Sequence, residues 1–202
     1  MRTTMLRLAA FTAVAIIVFS GIQTTVLAPR SMAATQDSTY VFASFPIETF
    51  AVTFRDSWGD RRPGGRRHQG TDILSRRGTE VLAIADGVVT KMALSDSSGY
   101  YIRIDHGDGW VSSYLHLNND IVGTDNGEGG TWTAFYATLM EGQKVSAGDV
   151  IGYVGDSGNA EHTTPHLHFE IKQGDEKENP FPYLEDSWNR SHLPWVSPQH
   201  PR

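Results

Sequence analysis

From Thr79 onward, turn residues cut the chain into apolar runs of five to seven residues, too short for stable helices and the right length for strands. The runs are Val81 to Ala85, Val88 to Leu94, Tyr100 to Asp105, Trp110 to Leu115, Val150 to Val154 and His166 to Ile171. Asp86-Gly87 and His106-Gly107-Asp108-Gly109 supply tight turns between neighbouring runs, which predicts hairpins and a mainly antiparallel sheet. In His166-Leu167-His168-Phe169-Glu170-Ile171 the alternation is strict, so Leu167, Phe169 and Ile171 enter the core while His166, His168 and Glu170 share the opposite face. Twenty glycines, nine prolines and 202 residues fit one modest β domain rather than a helical bundle. Asn118 to Gly130 reads as a loop. It lacks the full alternation of oxygen ligands ending in Glu that calcium loops show. The aromatic-rich Thr131 to Met140 has no decisive periodicity, and the chain from Pro180 reads as a packed or frayed tail in which Trp188 and Trp195 are packing residues.

Arg2, Arg7 and the apolar run Leu8 to Phe19, followed by Ser31-Met32-Ala33, have the form of an export signal over residues 1–33. Cleavage after Ala33 is favoured over an uncleaved anchor, and a membrane enters as partner only in the second case. Either way the domain is expected to be secreted or in the cell envelope. An extended lead-in follows at 34–50, then the domain at 51–185 and a C-terminal tail at 186–202. Loss of the leader leaves 14 basic against 23 acidic residues, net −9, which argues against nucleic acid as a partner. The local exception is the cluster Arg61, Arg62, Arg66, Arg67, Arg76 and Arg77, which on charge alone reads as a solvated face.

The absence of cysteine excludes a disulfide scaffold, a thiolate-bound metal and a thiol nucleophile, so any metal is held by His, Asp or Glu. In extended chain His68 and Asp72 project to one side, with Gly70 between them offering no side chain to obstruct a metal. Two ligands from this segment and one histidine from the His166–His168 pair make three. That count leaves the fourth position of a tetrahedral zinc site open, as catalytic zinc requires.

These segments belong to a longer series of blocks. Gly65-Arg66-Arg67-His68-Gln69-Gly70-Thr71-Asp72-Ile73 is followed by Gly78-Thr79-Glu80-Val81 with Ala85-Asp86-Gly87-Val88-Val89, then Tyr114-Leu115-His116-Leu117, Gly148-Asp149-Val150-Ile151-Gly152-Tyr153-Val154-Gly155 and Pro165-His166-Leu167-His168-Phe169-Glu170. In content and order these resemble the lysostaphin-type zinc metallopeptidases that cut peptidoglycan, over roughly Val52 to Leu184. The resemblance implies a mainly β fold (duplicated hybrid motif): a compact, mostly antiparallel sheet or barrel-like sandwich with an open groove. It implies Zn2+ held by His68, Asp72 and His168, with His116 and His166 as the non-ligand catalytic pair. The implied activity is that of an exported endopeptidase acting on peptidoglycan cross-links or stem peptides. The rival reading is a silent zinc- or peptidoglycan-binding module that regulates another wall hydrolase.

The stretch at about 118–141 is longer than the resemblance leads one to expect and follows His116 directly, so it is a candidate to cap the groove, narrow specificity or bind a regulatory partner. Arg61, Arg62, Arg66 and Arg67 are expected to meet acidic stem-peptide carboxylates near the metal. Gly155-Asp156-Ser157-Gly158 matches a serine-protease nucleophile motif, but the upstream histidine context for a triad is missing, and the segment reads as a turn. His106, His192 and His200 read as structural or exposed. His162 matches no ligand position and stands where it would line a cleft.

Overall fold

The computed structural model describes residues 42–47 and 50–192. The expected leader, most of the lead-in, Trp195 and His200 lie outside the described residues. The strands are β1 (Thr71–Leu74), β2 (Glu80–Leu82), β3 (Gly87–Ser95), β4 (Gly99–Gly107), β5 (Trp110–Leu117), β6 (Lys144–Val145), β7 (Val150–Tyr153), β8 (His166–Gln173) and β9 (Glu176–Glu178). Two helices accompany them, α1 (Thr131–Ala134) and α2 (Phe181–His192). Seven strands form one antiparallel sheet in the order β1-β8-β5-β4-β3-β6, with β9 also paired to β8; β2 and β7 make a second, two-stranded sheet. The fold is therefore mainly β and antiparallel, as the short punctuated runs predict.

The β4–β5 hairpin shows how local sequence sets register. Asp108 and Gly109 both have positive φ, 49° and 81°, the backbone a two-residue type I′ turn demands. Gly107 then pairs with Trp110. The expected hairpin across Asp86-Gly87 does not form: β2 pairs with β7, whereas β3 pairs with β4 and β6. Beyond Leu82 the chain leaves the strand path, and Ala83 exchanges backbone hydrogen bonds with Gly148 and Asp149. The Asp86-Gly87 turn thus carries the chain from one sheet to the other.

β8 follows its alternation closely. Leu167, Phe169 and Ile171 are buried in the core with Ile73, Ile102, Ile104 and Tyr114, which leaves His166, His168 and Glu170 on the other face. Phe42, Phe45 and Ile47, read from sequence as lead-in, are also core residues, and Phe42 meets the edge of Phe169 at 5.8 Å.

The segment from Pro180, expected as a packed or frayed tail, is packed, and it is helical from Phe181 to His192. Pro182 is tolerated because it falls in the first turn, where a helix has no use for its missing N–H. Asn179 Oδ1 accepts from the Phe181 amide at 3.0 Å and caps the start. The helix buries Leu184 and Ser187 and sets Trp188 against Phe45 and Phe54, with ring centroids 4.9 and 5.8 Å apart. Among the described residues no helix is long and apolar enough to cross a membrane.

Candidate metal centre and groove

Strand register brings the first two candidate residues together. Asp72 on β1 lies directly opposite His168 on β8, so both project from the same face of the sheet. His68, buried just before β1, reaches the same point. Its Nε2 is 3.1 Å from Asp72 Oδ1 and 3.0 Å from His168 Nδ1, and His168 Nδ1 is 2.8 Å from Asp72 Oδ1. Gly70 allows this approach. A Cβ there would lie 2.5 Å from the Phe169 carbonyl oxygen and 2.8 Å from His168 Nε2, so the obstruction that glycine avoids is to β8 itself.

The protonation of the two rings is fixed by what lies behind them. His68 Nδ1 faces the Ser57 carbonyl at 2.9 Å, which can only accept, so Nδ1 carries the proton. His168 Nε2 donates to Glu170 Oε1 at 3.2 Å. Each inner nitrogen therefore presents a lone pair, and two lone pairs converge with a carboxylate oxygen on one point. Three acceptors without a donor between them require a cation or a proton, and the nitrogen-nitrogen-oxygen set fits a small divalent metal such as zinc.

The electrostatics agree. Burial alone would raise the Asp72 pKa, but a proton in the cation's place, hydrogen-bonding the His168 or His68 ring to Oδ1, outweighs it and holds the carboxyl well below the usual carboxylate range. Burial alone would lower that of His168, yet Asp72 and Glu170 raise it. The other carboxylate oxygen, Asp72 Oδ2, accepts from Arg62 Nη2 at 2.5 Å, which leaves Oδ1 to the histidines.

His116 and His166 stand beside this group. Their ring centroids are 5.3 Å apart, and His116 lies 5.8 Å from His168. Each donates Nδ1–H to a backbone carbonyl, His116 to Ser157 and His166 to Thr164, both at 2.8 Å, so each offers Nε2 for proton transfer. His116 has a φ of 58°, unusual for a residue with a side chain, and is held there by its amide bond to Ser98 and its ring bond to Ser157. Burial, and then the neighbouring His168 and His166, push its pKa down to about 4; burial also lowers that of His166.

Ser157 is not a nucleophile in this arrangement. It is buried, its Oγ donates to the Leu117 carbonyl at 2.5 Å and accepts from the Tyr100 amide at 2.9 Å. Its service to the site is the carbonyl that orients His116. The neighbouring Asp156 joins Asp120 and Asp125 around the Arg77 guanidinium, at 2.8, 3.0 and 2.9 Å, and Arg77 also donates to the Thr124 carbonyl. This network ties the loop after His116 to the rest of the domain.

A groove of about 1090 Å³ lies over the centre, lined among others by Arg62, His68, Asp72, His116, His166 and His168. No residue of 118–141 lines it. His162 is exposed and absent from its lining, so the expectation of a cleft residue fails there. His106 is half-buried in structural bonds to Asp86 and Ser112, and His192 stacks on Trp188 with centroids 3.6 Å apart. The supporting roles of Ser57, Thr164 and Ser157 rest on backbone carbonyls, which leave no mark in the sequence. Glu170 is different: its place two residues after His168 on one strand face marks it as a candidate partner.

Comparison with known proteins gives the arrangement a family. A Vibrio cholerae peptidoglycan DD-endopeptidase, ShyC, is 32% identical over 115 residues, covering 57% of this chain but 22% of its own length. A Bacillus subtilis L-Ala--D-Glu endopeptidase is 32% identical over 156 residues, covering 72% of this chain and 43% of the relative. The chain thus spans less than half the length of either. The catalytic domain of lysostaphin from Staphylococcus simulans superposes with a TM-score of 0.52 at 26% identity, covering 66% of this chain and 92% of that one. The model of peptidase family M23 matches residues 66–180, more than half of the sequence and the span that contains all five histidine and aspartate positions described above, and the chain therefore belongs to peptidase family M23, the lysostaphin type.

Proposed function

We propose that the protein is an exported, zinc-dependent endopeptidase that hydrolyses peptide cross-links or stem peptides of bacterial peptidoglycan. The observation that carries this reading is the convergence of His68 Nε2, Asp72 Oδ1 and His168 Nδ1 at one point in an open groove, with two further histidines alongside. His68, Asp72 and His168 would hold the metal. When bound, zinc supplies a Lewis acid that acidifies a water and polarises a peptide carbonyl.

The remaining steps belong to the chain. His116 and His166, each anchored through Nδ1–H, present Nε2 as a base for the attacking water, as a donor to the developing oxyanion once protonated, and as an acid toward the leaving amine. Their lowered pKa values keep both rings neutral near pH 7, the form in which they accept a proton. Arg62 holds Asp72 Oδ2, so the carboxylate keeps one orientation through the reaction. Because the substrate lies outside the cytoplasm, the reading is consistent with an exported protein.

The rival reading, a silent regulatory module, draws no support from the groove. All five site residues are present, and the stretch at 118–141 does not enter the lining. Release of new amino groups from purified peptidoglycan by the zinc-loaded protein tests the proposal. Activity that falls by about 10²–10⁴ in His116→Ala supports it. Equal release by the native protein and the variant would count against it.

A further inference from the structure

The groove carries a charge opposite in sign to that of the chain. Overall there are 17 basic and 23 acidic residues, yet the lining holds Arg62, Arg66, Arg67, Arg103 and Lys177 against the carboxylates of Asp72 and Glu170. Both carboxylates are engaged. Asp72 is taken by Arg62 and the imidazoles; Glu170 accepts from Lys177 at 2.8 Å and from His168. Arg66, Arg67 and Arg103 are exposed, and among the described residues none forms an ion pair with a carboxylate. Arg66 donates to the Pro63 carbonyl and Arg67 to that of Gly59, while Arg103 lies 5.2 Å from the centre of the Tyr101 ring.

Strand register shows where Arg103 stands relative to the metal centre. Arg103 pairs with Ser113, Ser113 pairs with Glu170, and Glu170 lies two residues along β8 from His168. All of them therefore share the face that carries Asp72 and His168. The offset from His168 is two strand spacings and two residues, about 10 Å across and about 7 Å along. An arginine reaching inward from there meets a group roughly two to three residues, at about 3.3 Å each, from a peptide bond held over the metal centre. Arg67 immediately precedes His68 and bounds the groove near the centre. Arginines on a convex surface are ordinarily just solvated; in a concave surface of an acidic protein they focus positive potential.

Building on the endopeptidase reading, we propose that the groove selects peptides carrying free carboxylates within a few residues of the scissile bond, read by Arg66, Arg67 and Arg103, and disfavours neutral peptides such as glycine bridges. The set differs from the one that the local sequence cluster suggests. Arg61 does not line the groove, Arg62 is committed to Asp72, and Arg103 comes from a different strand. A planar guanidinium gives paired hydrogen bonds to a carboxylate, which an amide cannot match.

The test uses the zinc-loaded full chain and one synthetic cross-linked peptide in two forms, with its carboxyl groups free or amidated. Turnover and calorimetric binding are measured separately, each at about 0.05 M and about 0.3 M salt. The free-carboxylate form is expected to bind about tenfold more tightly or better, with a preference that salt erodes and that Arg103→Gln or Arg67→Gln reduces. Arg76→Gln, at an exposed position outside the groove, should leave the preference intact. Equal binding of the two forms, tighter binding of the amide, or no binding of either overturns the proposal. If the free form binds more tightly but neither form is cleaved, the charge reading stands and the endopeptidase reading falls.

Discussion

His68 Nε2 and His168 Nδ1 stand 3.0 Å apart with lone pairs turned toward each other and toward Asp72 Oδ1, because the proton of each ring is held on its far side by Ser57 and Glu170. A cation at this point converts three mutually repelling acceptors into a ligand set. Metal removal should therefore lower stability. In thermal unfolding, chelator-treated protein is expected to melt below the zinc-loaded form and to recover on adding zinc, by about 2.7 kcal/mol at a hundredfold excess over Kd. An unchanged melting temperature on zinc addition would mean that the three acceptors do not make a site.

Ser157 and His116 are joined through a carbonyl, not through a hydroxyl-imidazole pair. Ser157→Ala removes the Oγ bonds to Leu117 and Tyr100, and should cost about 1–3 kcal/mol of stability while hydrolysis survives. Abolished turnover in a variant that remains folded and binds zinc would revive the serine as a reacting group.

Arg77 is the shared cation of Asp120, Asp125 and Asp156, two of which are fully buried. Arg77→Met leaves buried carboxylates without their counter-charge, and denaturant unfolding should show a loss of roughly 3–5 kcal/mol. Asp125→Asn, at the exposed member, should cost well under half as much. Equal losses would mean that burial of Asp120 and Asp156 is not what makes the network matter.

His106 gives a pH dependence of stability away from the metal centre. Burial lowers its pKa below 6.5 in the fold, against the opposing bond to the Asp86 carbonyl. As pH falls through about 6.5 the unfolded chain takes up a proton that the folded one refuses, so stability is lost from there down to the folded pKa. Unfolding free energies compared between about pH 7.5 and about pH 5.5 should fall less in His106→Asn than in the native protein. The other histidines are common to both proteins and cancel in that difference. An equal fall in both would remove His106 from the account.

The sequence made some features of the fold plain and hid others, for physical reasons. The alternation in β8 reports its two faces directly, since the side-chain period of a strand is two residues, and the Asp108-Gly109 turn announces its hairpin. Partnership between sheets is not local, so β2 reads as a neighbour of β3 although it pairs with β7. Pro182 masks α2, because a proline in the first turn of a helix looks the same in sequence as one in a tail. At the site, His68, Asp72, His116, His166 and His168 stand out by residue type. What orients them are carbonyls of Ser57, Ser157 and Thr164, contributed by backbone that any residue would supply. Arg103 belongs to the groove only through the register of three strands.

Bound zinc and the release of new amino groups from purified peptidoglycan, measured on one preparation for the native protein and for His168→Ala, join the metal centre to hydrolysis in a single experiment. Stoichiometric zinc and hydrolysis are expected in the native protein, and the loss of both in the variant while the fold is retained. Native protein that binds zinc stoichiometrically yet releases no amino groups, or a His168→Ala variant that hydrolyses equally well, would rule out zinc-dependent hydrolysis at this centre.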